Sequence, residues 1–494
     1  MSRRNGGIVG PVNTPVGGIV VGSASGVWRM NDVLTFVSNN QWPKGPENIE
    51  NSCRFSEPSS DNLSRSISST GNTKIVTFSA WIKRGVVAGM SIFSTGSANT
   101  DDFTVYMPSE SIQILARQSS STVLNLYTNR VLRDVSAWYH VVAEIDTTQS
   151  TESDRAKLYI NGVQETSFST ETYPSQNQDL RINESGYTNY VGNLRGSGNH
   201  FDGYMAEIVL IDGQALDPTS FGEFDSTTGI WKPKKIGAIA NAGTNSFYLN
   251  FKDSSNVGKD ESGLGNNFTV NNLTSVDQST DTCVENFATY TPLTTNLGNG
   301  TSLSEGNLKI VETGSTDVDP KYFSTMGVSS GKWYAEFKAT AFSTNNHSIG
   351  IFATQGDFND SNSDALCRIN YSTSSPNIYA FGSTVQSSLG TTSPGDILAI
   401  SVDIDNGTVQ FYKNGSTYGS QVTGLTSNFS NRTIHFCMFG EAGGGRTFTT
   451  EANFGNPPFS ISSGNSDANG FGNFEYAVPS GYYALNTTNL NTYG

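Results

Sequence analysis

Asn-Gly ends an alternating run at three places in the chain. The runs are "KLYINGVQ" (Asn161-Gly162), "DIDNGTVQ" (Asn406-Gly407) and "FYKNGS" (Asn414-Gly415). Both residue types tolerate positive φ, which a two-residue β-hairpin demands. The flanking residues alternate with period two. In "TFSAWIKRG" (Thr77–Gly85), Phe78, Ala80 and Ile82 share one face, while Thr77, Ser79 and Trp81 share the other. "GKWYAEFKA" (Gly331–Ala339) behaves likewise. Helical periodicity is almost absent. The pattern predicts antiparallel sandwiches rather than a parallel α/β sheet.

With 494 residues, the chain has room for two large β domains plus connectors. Charged residues make up 15%, against roughly 25% in an ordinary soluble protein. Aromatics stand at 11%, so real cores are expected. The polarity is hydroxyl and amide rather than ionic, as suits an extracellular or particle-borne protein. A net charge of −15, with no basic stripe, argues against nucleic acid. Cys53, Cys283, Cys367 and Cys437 lie far apart without CxxC spacing; free thiols made in a reducing cytosol are expected. No run of about 18 apolar residues predicts a membrane span. The opening "IVGPVNTPVGGIVV" is broken by prolines and glycines and is not read as a secretory segment. Extracellular composition without an export signal points to a virion released by lysis.

The expected order is an irregular arm over 1–45, a β-sandwich over 46–255, a loop-rich linker over 256–294, a second sandwich over 295–460 and a C-terminal extension over 461–494. "FSAWIKRG", "WYHVVAEID", "KLYINGVQ" and "FDGYMAEIVLIDGQAL" together resemble the LamG-type, concanavalin A-like jelly roll. "SSGKWYAEF", the Gly395–Asn414 hairpin and "HFCMFG" resemble a SPRY-type sandwich. The linker and the opening "GPVNTPVGGIVV…SGVWRMNDV" look like parts of marine phage structural proteins. The expected fold class is all-β: two jelly-roll sandwiches in tandem behind a short arm.

Several motifs carry possible chemistry. "EIDTTQ" (Glu144–Gln149) resembles the E-x-D-x-x-E strand of laminarinase-type glycosidases, where one carboxylate attacks and another donates a proton. The last acid is Gln149 here, so a solvated strand face is expected. "GVSSG" (Gly327–Gly331) matches a serine elbow by letter, but a strand pattern follows it where the elbow needs a helix. His140, His200, His347 and His435 show no metal spacing. "EAGGGRTF" (Glu441–Phe448) reads as a loop between strands rather than a phosphate cradle. Asp101 and Asp102 are weak calcium candidates, since calcium wants six to eight oxygens; no cofactor is otherwise expected.

"ESGYTNYVGNLRGSGNHFDGY" (Glu184–Tyr204) offers the best binding set: Tyr187, Asn189, Tyr190, Asn193, Arg195 and His200. Flat rings stack on sugars, and amides and a guanidinium meet hydroxyls. The reading is a non-catalytic phage virion protein, a tail fibre or appendage. The arm, with Trp28 and Arg29, would dock on other virion proteins, and the sandwiches would meet a host glycan or envelope protein. A homo-oligomer is expected, without nucleic acid or membrane insertion. The alternatives are a capsid-decorating protein and a glycan depolymerase working in the jelly-roll groove.

Overall fold

Alternation becomes layers in the computed structural model. It describes residues 49–494 apart from 197, 235, 237–240, 294–300, 314–320, 343–346, 355–364 and 441–446. The arm expected over 1–45, with Trp28 and Arg29, lies outside the described residues, as do residues 441–446 of "EAGGGRTF".

The first half stacks two eight-stranded antiparallel sheets. One runs Val163–Gln164, Ala156–Ile160, Tyr139–Asp146, Ile75–Arg84, Gly203–Asp212, Ser52–Phe55 and Gln278–Ser279, with Phe247–Leu249 branching from Gly203–Asp212. The other runs Phe168–Thr172, Ser121–Thr128, Gln113–Gln118, Asp101–Met107, Met90–Ala98, Thr188–Val191, Asn62–Ser66 and Thr269–Asn271. Phe78, Ile82, Phe93, Val105, Leu126 and Met205 are among the residues that meet between them. In the second half, Lys332–Phe342 and Ile397–Asp403 lie in a seven-stranded sheet and His347–Thr354 and Thr433–Gly440 in a six-stranded one. Trp333, Phe337, Ile351 and Phe436 lie in their common core.

Two of the Asn-Gly turns use one device. Asn161 and Gly162 both have positive φ, as do Asn414 and Gly415. Each asparagine Oδ1 then accepts from the neighbouring strand, at His140 N (2.8 Å) and Ile397 N (2.9 Å). Asp405-Asn406-Gly407 differs, because only Gly407 takes positive φ. There Asp403 holds the turn by accepting from Asn406 N and Nδ2.

The sheet containing Ile75–Arg84 and Gly203–Asp212 is covered on both faces. Ile75–Arg84 is buried after Ile75, and Gly203–Asp212 is buried throughout. The face away from the core is sealed in two ways. In its middle the hairpin of Gly222–Phe224 and Trp231–Pro233 sets Trp231 near Trp81 and Ala206. His140 stacks on Trp81 (4.7 Å), and Trp231 lies nearly parallel to it with ring centroids 5.9 Å apart. Its Nδ1 accepts from the Trp231 indole (3.0 Å), so the proton sits on Nε2, facing Ser79 Oγ at 2.8 Å.

At one end the second half closes over that face. Lys83 Nζ reaches Asp281 Oδ2 (2.7 Å), Asn286 Oδ1 (2.7 Å) and the Phe287 carbonyl (3.0 Å). Trp138 Nε1 holds the other Asp281 oxygen at 3.0 Å. Arg54 donates to the carbonyls of Val276 and Pro457 and pairs with Glu305 at 3.4 Å. Tyr204 donates to Gly306 O, and Asn307 Nδ2 to Gly85 O. Lys83 and Asp281 are both sealed from solvent, a pairing stable only because the remaining hydrogen-bonding positions are filled.

Residues 256–294 correct the expectation of a loop-rich linker. Thr269–Asn271 pairs with Asn62–Ser66, and Gln278–Ser279 pairs with Ser52–Phe55. Val257, Phe268 and Leu273 enter the first core. Asp260 ties the intervening loop by accepting from the backbone of Tyr248, Ser262 and Asn266. The C-terminal extension packs on the outside of the second half, where Phe474 and Ala484 meet Tyr334 and Ala399. Buried Glu336 accepts from Glu475 N and Tyr476 N and so fixes that segment.

Candidate functional site

The sheet of the first half that contains Asp101–Met107 and Gln113–Gln118 keeps part of its outer face open. Phe103, Val105, Ile114, Ala116, Leu124 and Leu126 point into the core, so their neighbours point out. The pairing sets these neighbours in rows: Tyr106–Gln113–Tyr127, then Thr104–Leu115–Asn125. Gln113 Nε2 donates to Asn125 Oδ1 at 2.8 Å. Tyr106, Gln113, Leu115, Asn125 and Tyr127 are all half-buried. Burial, followed by the nearby Tyr127, raises the Tyr106 phenol above its ordinary range. Two phenol rings, two amides and one aliphatic side chain therefore share one face.

Residues 193–196 and 198–200 wall this face. Ser94 Oγ donates to Asn193 O (2.7 Å) and accepts from Arg195 N (2.8 Å). Asn199 O receives Ser91 N, whose residue pairs across with Tyr106. Arg195 takes a positive φ of 56° and sends its guanidinium to Asp102 Oδ2 at 2.6 Å. Arg117 grips the same fully buried carboxylate at 3.0 and 2.5 Å. Two cations thus share one buried anion, and Arg181 pairs with both Asp101 and Glu184 beside them. Tyr190 lies under the loop, so a Cβ at Gly196 would come within 3.0 Å of its hydroxyl.

The sequence-predicted binding residues do not assemble as one set. Tyr190, Asn193, Arg195 and His200 belong to the wall and its support; Asn193 Nδ2 lies 3.4 Å from His200 Nδ1. Asn189 has the opposite parity and is fully buried, with neither amide atom hydrogen-bonded among the described residues, so it cannot meet a ligand. Arg195 is spent on Asp102. Tyr187 lies near Asp101, Arg181 and Glu184. The row residues Tyr106, Gln113, Asn125 and Tyr127 were missed. Their outward parity in "FTVYMP", "QILARQ" and "LNLYT" was readable; their alignment into rows depends on register, which was not.

The calcium candidates Asp101 and Asp102 each have arginine partners. Asp101 accepts from Arg181 Nε (2.9 Å) and Ser119 N, while Asp102 holds two guanidinium groups. Arginine already occupies the place a cation would need. In "EIDTTQ", Glu144 accepts from Tyr159 OH (2.9 Å) and lies 3.5 Å from Lys157 Nζ. Asp146 closes its turn by accepting from Thr148 N, Thr148 Oγ1 and Gln149 Nε2. "GVSSG" leads into the strand Lys332–Phe342, and Ser330 Oγ donates to Tyr493 O. The four cysteines are unpaired. Among the described residues no helix is long and apolar enough to cross a membrane.

Residues 59–219, which contain the open face and its wall, match the Laminin_G_3 family model of the concanavalin A-like lectin/glucanases superfamily. The sandwich is of this LamG, concanavalin A-like type. No curated protein matches the sequence. Among solved structures, the chain is similar to the SPRY domain of human HERC1 at 16% identity, over 33% of this chain and 96% of that one, with a TM-score of 0.27. It is similar to the SAP-like pentraxin of Limulus polyphemus at 18% identity, over 34% and 79%, with a TM-score of 0.27. Mouse laminin α1 domains LG4–5 align at 10% identity over 83% and 90%, with a TM-score of 0.30.

Proposed function

We propose that the chain is a non-catalytic recognition protein of a phage particle, an appendage whose first sandwich reads a host surface glycan. The aligned row Tyr106–Gln113–Tyr127 on the open face of a LamG-type sandwich carries this reading. Phenol rings offer apolar surface to the faces of a sugar, and Gln113 and Asn125 match its hydroxyls. A shallow face of this kind binds weakly. Several copies on one particle raise the avidity by about 10²–10⁴, so the proposal includes a homo-oligomer.

Residues 1–45, with Trp28 and Arg29, are proposed as the arm that joins other virion proteins. The likeness of the opening residues and the 256–294 segment to marine phage structural proteins supports the virion setting. So do four unpaired thiols, which fit synthesis in a reducing cytosol. A glycan array probed with the full chain tests the recognition role, and gold-labelled antibody on intact particles tests the setting. Binding to host envelope saccharides with label on the tail is expected. A silent array with label on the head would replace this reading with capsid decoration, and release of reducing ends would replace it with a depolymerase.

A further inference from the structure

We propose a second saccharide site in the cleft between the two halves, separate from the open face and sized for one sugar ring. The cleft measures about 220 Å³, below the roughly 300–1,000 Å³ of sites for drug-sized ligands. One lip is formed by Ser275, Val276 and Gln278–Thr280 of the first half, the other by Pro457, Phe459–Ile461 and Asn473 of the second. Arg54 sets the spacing of the lips from beneath: one guanidinium nitrogen donates to Val276 O (2.9 Å) and another to Pro457 O (3.1 Å).

The chemistry of the lining selects the ligand. No lining side chain is ionisable to a charge at neutral pH, so nothing there would neutralise a phosphate, a carboxylate or a metal ion. Val276, Pro457, Phe459 and Ile461 supply apolar surface. The Phe459 ring is held in place by Lys338 Nζ, 5.0 Å from its centroid. Between these patches lie polar groups with unused capacity. Gln278 spends its Nε2 on Phe251 O (2.6 Å), leaving Oε1 to accept. The side-chain amide of Asn473 makes no hydrogen bond among the described residues, while its backbone is fixed to Gly455 and Asn453. Ser275 and Ser460 stand exposed at the rim. Apolar patches interleaved with one acceptor, one amide and rim hydroxyls match a neutral pyranose, whose C–H faces and hydroxyls alternate on the same scale.

A sugar here touches both halves at once, so binding stabilises their joint by linkage. The test is saturation-transfer NMR and calorimetry on the full chain with the methyl glycosides of glucose, galactose, mannose and N-acetylglucosamine. Saturable binding of at least one is expected, with a rise in Tm. The double variant Gln278→Ala/Asn473→Ala should weaken it at least tenfold. Ile461→Trp, which fills the cleft and removes no hydrogen bond, should abolish it, and serves as the control if the double variant folds poorly. All these variants are read in a Tyr127→Ala background, which takes the open face out of the readout and leaves the cleft as the site measured. Absence of binding by all four glycosides, or binding that survives Ile461→Trp, would overturn the proposal.

Discussion

The two sheets of the first sandwich share one core and differ in their other faces. The sheet built on Ile75–Arg84 and Gly203–Asp212 is sealed by a tryptophan hairpin and by the second half. The sheet built on Asp101–Met107 and Gln113–Gln118 keeps Tyr106, Gln113 and Leu115 partly in solvent. The sealed sheet carries Arg54, Lys83 and His140 into buried places, each held by hydrogen-bond partners. The open sheet leaves rings and amides with hydrogen-bonding capacity to spare. Substitutions on the sealed face should therefore cost stability, and those on the open face should cost binding.

The largest effect should come from Asp281→Ala, which strands the buried Lys83 ammonium. Breaking a buried pair costs about 3–5 kcal/mol, measurable as a lower urea midpoint. Trp231→Ala should follow at about 3 kcal/mol, since it removes the outer layer of the stack over His140 and that ring's indole donor. Both losses should leave glycan binding by the open face unchanged under conditions where the variants stay folded.

Acid sharpens the contrast. Burial pushes the His140 and His347 imidazoles down to about 3. Unfolded histidine takes a proton near 6.5, so this contribution is present above that pH and is lost as pH falls towards 3. Burial pushes Asp202 up to about 7. Its contribution is fully present below about 4 and is lost as pH rises through 7. The two trends oppose each other across pH 4–6.5. Asp202→Asn removes one of them, so the variant's stability should fall on acidification more steeply than the wild type's, by roughly 1 kcal/mol per pH unit. Equal slopes in parallel urea titrations would contradict the assignment. The smallest effect belongs to Tyr127→Ala, within about 0.5 kcal/mol of wild type in stability.

Local chemistry was legible in the sequence. Asn161-Gly162 and Asn414-Gly415 marked real hairpins, and the alternation of Phe78, Ala80 and Ile82 marked a core face. What pairing and long-range packing decide was not. A one-residue change of parity sends a side chain to the other face, which is why Asn189 was placed with Tyr190 when it lies inside. Trp81 read as an outward residue, and nothing near it announced that Trp231 would cover it. Val257, Phe268 and Leu273 are too widely spaced to show a period, so a segment that completes the first sandwich read as a linker.

Glycan binding by the full-length Tyr127→Ala variant, measured beside its thermal unfolding, tests the division between the two sheets most directly. Loss of binding at an unchanged Tm is the predicted result. Binding that persists in the variant, or that disappears only together with the fold, would contradict it.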